Sequence, residues 1–266
     1  MVNLVIDFHT HCFPEKIAKS TIEKLSFQSG GLIPQTDGTK ESLLQLMNKD
    51  NVEKSVVLAI ATNARQQNKV NDFAISLKSD NLIPFGSIYP FSDDWEEELE
   101  RLKENEIKGI KLHPDYQQFF VDDERLFPLY KKIEKLGFIL IFHAGEDFGF
   151  PPPYHATPEK LRKVASFIET PVVCAHWGSL SMGEDVLKNL CDIDNCYFDT
   201  AFGYGTMPKD MALRILDKKG VDKIIFGSDS PWNAPSWDIG MIKTMELSLD
   251  EEDKIFYKNA EKILSL

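Results

Sequence analysis

The sequence contains no apolar run near the ~20 residues needed to cross a bilayer as a helix. Residues 1–8, MVNLVIDF, lack the basic start and long apolar core of a secretory signal. A cytoplasmic location is the expectation. Positive charge is also scarce: 30 Lys and Arg stand against 42 Asp and Glu, a net charge of −12. Such a balance repels phosphate backbones and anionic lipid, so neither nucleic acid nor a membrane is expected as a partner. A small-molecule substrate fits better, with self-association into a homo-oligomer left open. Cysteine is sparse too. Cys12, Cys174, Cys191 and Cys196 form no CxxC pair and are too few to staple a chain of 266 residues, so they read as reduced thiols. Cys174 lies in an apolar run and reads as core filling.

What is present is ordinary globular composition, 42% hydrophobic and 27% charged. Short apolar or β-branched runs recur about every 30 residues, separated by amphipathic stretches, the alternation of a parallel α/β protein. Eight such runs occur, at 4–11, 55–61, 82–89, 107–113, 138–144, 171–177, 196–202 and 223–229. Helices are expected at 39–49, 65–79, 93–106, 124–136, 157–168, 181–190, 207–219, 236–248 and 250–264. Eight strand–helix pairs without a long linker favour a single-domain (β/α)8 TIM barrel over residues 1–266, with a doubly wound open sheet as the alternative. The stretch FGFPPPY (148–154) is expected as a loop over the barrel mouth.

A strand buried on both faces should be apolar, so ionisable residues at its carboxyl end ask for a reason. Five of the six histidines fall there: His9, His11, His113, His143 and His176. Asp229 ends the eighth run. Alternation along the first strand places His9, His11 and Asp7 on one side. Closure of a barrel would bring Asp229 beside that pair, with His143 facing them. Three imidazoles and a carboxylate suit one divalent metal, Zn²⁺ above all. A lone histidine at a strand end is commonly a hydrogen-bonded structural residue; five together at the end where barrel sites assemble argue for a site. His155, in PPPYHATP, reads as a solvated loop residue.

Lys111 shares inward parity with His113; it is either paired within the barrel or part of the metal site. Arg65, His113 and Trp232 are candidates for touching substrate. For Arg65 a carboxylate clamp competes with a solvent-facing place at a helix start, and for Trp232 a pocket wall competes with plain packing.

The ordered series VIDFHTH, IFHAGED (141–147), VVCAHWGSL (172–180), IIFGSDSPW (224–232) and YKNAEKIL (257–264) resembles the amidohydrolase superfamily. The resemblance is to its amidohydrolase-related group, which includes aminocarboxymuconate semialdehyde decarboxylase. It implies a distorted barrel with one metal, usually zinc, held by His9, His11, His143 and Asp229. His176 then matches the histidine that positions or deprotonates the metal-bound water. KLHP is similar to the dihydroorotase segment whose carboxylated lysine bridges two metals, so Lys111 keeps a binuclear site open. The metal-dependent deoxyribonucleases share HxH and a late Asp but carry a glutamate where this chain has Lys111.

The resulting expectation is a metal-dependent hydrolase. The metal lowers the pKa of its water for attack on an ester, lactone or amide, with Asp229 taking the proton and His176 orienting the water. A metal-dependent decarboxylase of an unsaturated or aromatic acid is the competing reading on the same ligands. A non-catalytic metal-binding barrel is disfavoured because His176 and Asp229 are both kept.

Overall fold

A computed structural model describes residues 4–266. Eight parallel strands form one sheet in sequential order: β1 (Ile6–Thr10), β2 (Lys54–Leu58), β3 (Leu82–Ser87), β4 (Gly109–Leu112), β5 (Ile139–Phe142), β6 (Val172–Cys174), β7 (Cys196–Asp199) and β8 (Ile224–Ile225). The ring closes through the segment after β8. Phe8 N–H donates to the Phe226 carbonyl at 2.8 Å, Asp229 N–H to the His9 carbonyl at 2.8 Å, and His11 N–H to the Ser230 carbonyl at 2.6 Å. This is a nearly closed (β/α)8 barrel with helices outside, as the strand periodicity predicts.

Two apolar layers explain the alternation along each strand. Ile110, Leu112, Leu140, Phe142, Cys174 and Phe198 pack outward under the helices. Ile6, Phe8, Phe85, Ile139, Ile141, Val173, Tyr197 and Ile225 pack together inside the barrel, where Ala260 and Leu264 of the last helix plug the bottom. Gly109 is required here, because a Cβ would run into the Phe85 ring. Full burial of such a ring contributes about 1.5–3 kcal/mol. Two residues further along, the inward positions change character, from Ile141 to His143 and from Tyr197 to Asp199. The apolar plug thus forms a floor, and the ionisable layer stands on it at the strands' carboxyl ends.

The expected helices are present with ends shifted by a few residues, such as Lys40–Asp50, Ala64–Ser76 and Trp95–Glu104. The 250–264 helix runs as Leu249–Asp253, a wide π turn at Lys254–Lys258, and Asn259–Leu264. Two helices were not expected, Glu15–Gln28 and the single turn Pro114–Gln117. The first buries only Ala18 and Ile22, so its apolar stripe is thin. All four cysteines are free and buried. No helix among the described residues is long and apolar enough to cross a membrane.

Strict alternation fails at one place that matters. A β-bulge in β1 between Asp7 and Thr10 inserts an extra residue against β2. Ile6 and Phe8 therefore face the inner cluster below the bulge, and His9 and His11 face inward above it. Asp7, expected on the histidine side, is turned to the seam instead, where Ser228 donates to it from N–H at 3.0 Å and from Oγ at 2.5 Å. Burial pushes this carboxyl up to about 7.

Candidate metal centre

The bulged end of β1 and the turn after β8 bring His9, His11 and Asp229 together. Asp229 Oδ1 lies 3.4 Å from His9 Nε2 and 3.2 Å from His11 Nε2. Each imidazole is held from behind. His9 Nδ1 donates to Asp199 Oδ2 at 2.8 Å, and His11 Nδ1 donates to the Leu58 carbonyl at 2.9 Å. Those acceptors fix the tautomer: in the neutral ring, a proton on Nδ1 leaves a bare lone pair on Nε2. Burial, with Lys111 and the other imidazoles adding to it, pushes the His9 pKa well below the usual histidine range, so His9 is neutral. Both Nε2 atoms thus point at one carboxylate oxygen, the arrangement of three donors around one ion.

Two imidazole nitrogens within 3.4 Å of one carboxylate oxygen make a set of three electron-rich atoms that a cation among them would hold together. This donor set fits a borderline divalent metal. Asp199 extends the fit as the carboxylate behind a ligating histidine, an arrangement that orients the ring and raises its basicity. Its other oxygen accepts from the N–H groups of His176 (2.8 Å) and Ala201 (3.1 Å). Burial raises the Asp199 pKa, with the charges of His176 and Lys111 opposing.

A second group forms across the mouth. His143, expected to share the ion with His9 and His11, sets its Nδ1 3.1 Å from His176 Nε2 and its Nε2 3.1 Å from the Glu146 carbonyl. Its ring is stacked on His113, with centroids 4.2 Å apart and planes at 11°, and that stack holds it in place. His143 therefore reaches the first triad through His176, whose ring lies 5.1 Å from that of His9. His176 Nδ1 in turn faces the Ala201 carbonyl at 3.1 Å.

His113 pairs with Asp147, Nε2 to Oδ2 at 3.2 Å, and its Nδ1 accepts the Tyr116 N–H at 3.4 Å. Burial works to raise the Asp147 pKa, but the hydrogen bond and charge of His113 outweigh it and hold the carboxyl below its ordinary value. Tyr116 closes this wall, edge-on to His113 at 4.5 Å and to Phe150 at 4.8 Å. The 143–150 loop can lie here because Gly145 adopts φ +88° and pairs with Leu180, where a Cβ would collide with the Leu180 backbone. His176 (φ +60°), Trp177 (+57°) and Asp229 (+66°) occupy the same left-handed region without glycine's freedom. Each such residue costs about 1–3 kcal/mol, and strain of this kind concentrates at functional sites.

The other expectations fall as follows. Lys111 is buried between the two groups, its Nζ 3.5 Å from His9 Nε2. Burial lowers its pKa to about 8, opposed by Asp199, Asp229 and Asp147. Trp232 is half-buried and donates its backbone N–H to the Asp229 carbonyl, closing the turn that carries that aspartate. Arg65 is exposed on the first turn of Ala64–Ser76 and takes no part in the site's hydrogen bonds. His155 corrects the reading of a solvated residue: it is half-buried and paired, Nδ1 to Oδ1 of buried Asp115 at 2.5 Å. The single helical turn at 114–117 places that aspartate under the loop, which the loop's composition alone did not reveal. Asp199 and Asp147 are site residues that sequence reasoning passed over.

The model of the amidohydrolase family matches residues 6–266. This chain belongs to the amidohydrolase family. No curated protein matches the amidohydrolase chain. Among solved structures, it resembles an uncharacterised TIM-barrel protein of Bordetella bronchiseptica, at TM-score 0.82 and 19% identity over 98% of each chain. It also resembles 2,6-dihydroxybenzoate decarboxylase from Rhizobium, at TM-score 0.72 and 15% identity over 99% of this chain and 98% of that one. A third likeness is to a dihydroxybenzoic acid decarboxylase of Polaromonas sp. JS666 with bound manganese and 2-nitroresorcinol, at TM-score 0.75 and 13% identity over 100% and 98%. At these identities the likeness speaks for the fold, and a bound metal in the third accords with the donor set found here.

Proposed function

We propose that this amidohydrolase is a metal-dependent carboxy-lyase that removes carbon dioxide from an aromatic or unsaturated acid. The observation that carries the reading is the convergence of His9 Nε2 and His11 Nε2 on one Asp229 carboxylate oxygen, at 3.4 and 3.2 Å, with both Nδ1 atoms turned to acceptors behind the rings. Support for the lyase over the hydrolytic alternative comes from decarboxylases among the structural neighbours that this chain matches over nearly its full length.

His9, His11 and Asp229 would hold the divalent metal, manganese and zinc both suiting the donors. When bound, the metal supplies a fixed positive charge that orients the acid and draws electron density toward it. Asp229, with 16% of its side chain exposed against 2% for His9 and 10% for His11, is the member of the triad that meets an incoming substrate. In the reaction the bond from carbon to the carboxylate breaks, its electron pair stays on that carbon, a proton joins it, and carbon dioxide leaves. The proton route on this chain is the His143–His176 pair. Its three contacts, to the Glu146 carbonyl, between the rings, and to the Ala201 carbonyl, need three protons, and two neutral rings hold two. The two carbonyls take the protons of the neutral rings, so a third proton can sit only between His143 Nδ1 and His176 Nε2; burial disfavours a resting charge on His143, which makes that shared proton the one the pair can give up to the substrate carbon.

The test is product analysis on manganese- and zinc-loaded protein. Carbon dioxide release from hydroxybenzoic or unsaturated acids, with the decarboxylated product in equal amount, is the expected result. Acid production from lactones, esters or amides without any carbon dioxide release would return the site to the hydrolytic reading.

A further inference from the structure

Lys111 is a buried charged side chain without a counter-ion in contact. It is 1% exposed, and among the described residues no carboxylate oxygen lies within 4.0 Å of its Nζ. Its polar contact is His9 Nε2 at 3.5 Å, an atom that the tautomer argument gives to a cation. A buried ammonium without a counter-ion is costly, and natural structures keep one where something else supplies the anion. With a cation held by His9, His11 and Asp229, the Lys111 ammonium would add a second positive charge 3.5 Å from one of the ligand atoms. The occupant complementary to both is an anion.

We infer that Lys111 is the binding residue for the substrate's carboxylate, which would lie between its ammonium and the triad. The inference rests on the reading of this site as one that takes an acid. It differs from a carboxylated lysine bridging two metals, since a carbamate is itself an anion and would repel the substrate's carboxylate. The predicted substrate class is narrow in one respect: an acid binds and its uncharged amide does not.

The test is calorimetric titration of manganese-loaded protein with benzoate and with benzamide, neither of which needs to react. Benzoate should bind at least about tenfold more tightly than benzamide to the wild type, the scale of a charge-assisted hydrogen bond. Lys111→Met should erase that preference while manganese stays at one equivalent per chain and Tm holds or rises, because an unpaired buried charge has been removed. Lys111→Arg should keep part of the preference. Should the methionine variant fail to fold, Lys111→Gln carries the same comparison. Unchanged benzoate binding in the variant, loss of manganese from it, or a carbamate signal from wild type grown with ¹³C-bicarbonate would each overturn the inference. Because no turnover is read, failure here is separable from failure to release carbon dioxide.

Discussion

Two groups of the same composition face each other across this barrel's mouth, and they have opposite needs. His9, His11 and Asp229 lie on one side; His113, His143 and Asp147 lie on the other. In the first, acceptors behind both rings draw the ring protons outward and leave lone pairs facing a carboxylate. In the second, the Tyr116 N–H donates to His113 Nδ1, so the remaining proton sits on Nε2 and is given to Asp147. The first group turns three electron-rich atoms toward one point; the second is already satisfied by a hydrogen bond. Ligand types and spacing are therefore poor predictors of a metal site on their own, and the partner behind each imidazole decides.

This contrast can be broken experimentally. The largest effect is expected from Asp229→Asn, which removes the shared anionic oxygen. Both metal binding and turnover should fall by more than about 100-fold, beyond the loss typical of outer groups, and wild-type metal content by elemental analysis would defeat the assignment. Next comes Asp199→Asn, which frees His9 to turn over its tautomer; a 10–100-fold loss in metal affinity, approximately, is the scale for such a partner, read by competition with a chelating dye. Asp147→Asn should leave metal stoichiometry at the wild-type value and cost only about 1.5–3 kcal/mol in denaturant unfolding, the worth of a hydrogen bond to a charged group. If that variant instead loses the ion, the second group is the metal site and the tautomer argument is inverted. Smallest of all, Arg65→Ala should change neither metal content nor kcat/KM.

The barrel was legible from the sequence because each strand is a short apolar run whose length and spacing survive without tertiary information. The histidines were legible for the complementary reason: they interrupt those runs at the ends where they should be apolar. Asp199 obeys the same rule at the end of β7 and was accessible to it, as Asp229 was. Asp147 was not accessible, because it sits in a loop with no period to interrupt, and its place depends on the backbone pairing of Gly145 with Leu180. The turning of Asp7 toward Ser228 was hidden as well. A bulge is a register event between two strands, and β1 read alone carries no mark of it.

The seam between the first and last strands has a thermodynamic consequence. β8 contributes only two residues of regular strand, and the ring is completed by a few bonds from the irregular segment behind it. An ion gripped by His9 and His11 on one edge and Asp229 on the other would work as a clasp across the weakest joint of the cylinder. Loading should thus raise the melting temperature in proportion to the logarithm of free metal, and chelation should loosen the 226–230 segment before the rest of the wall.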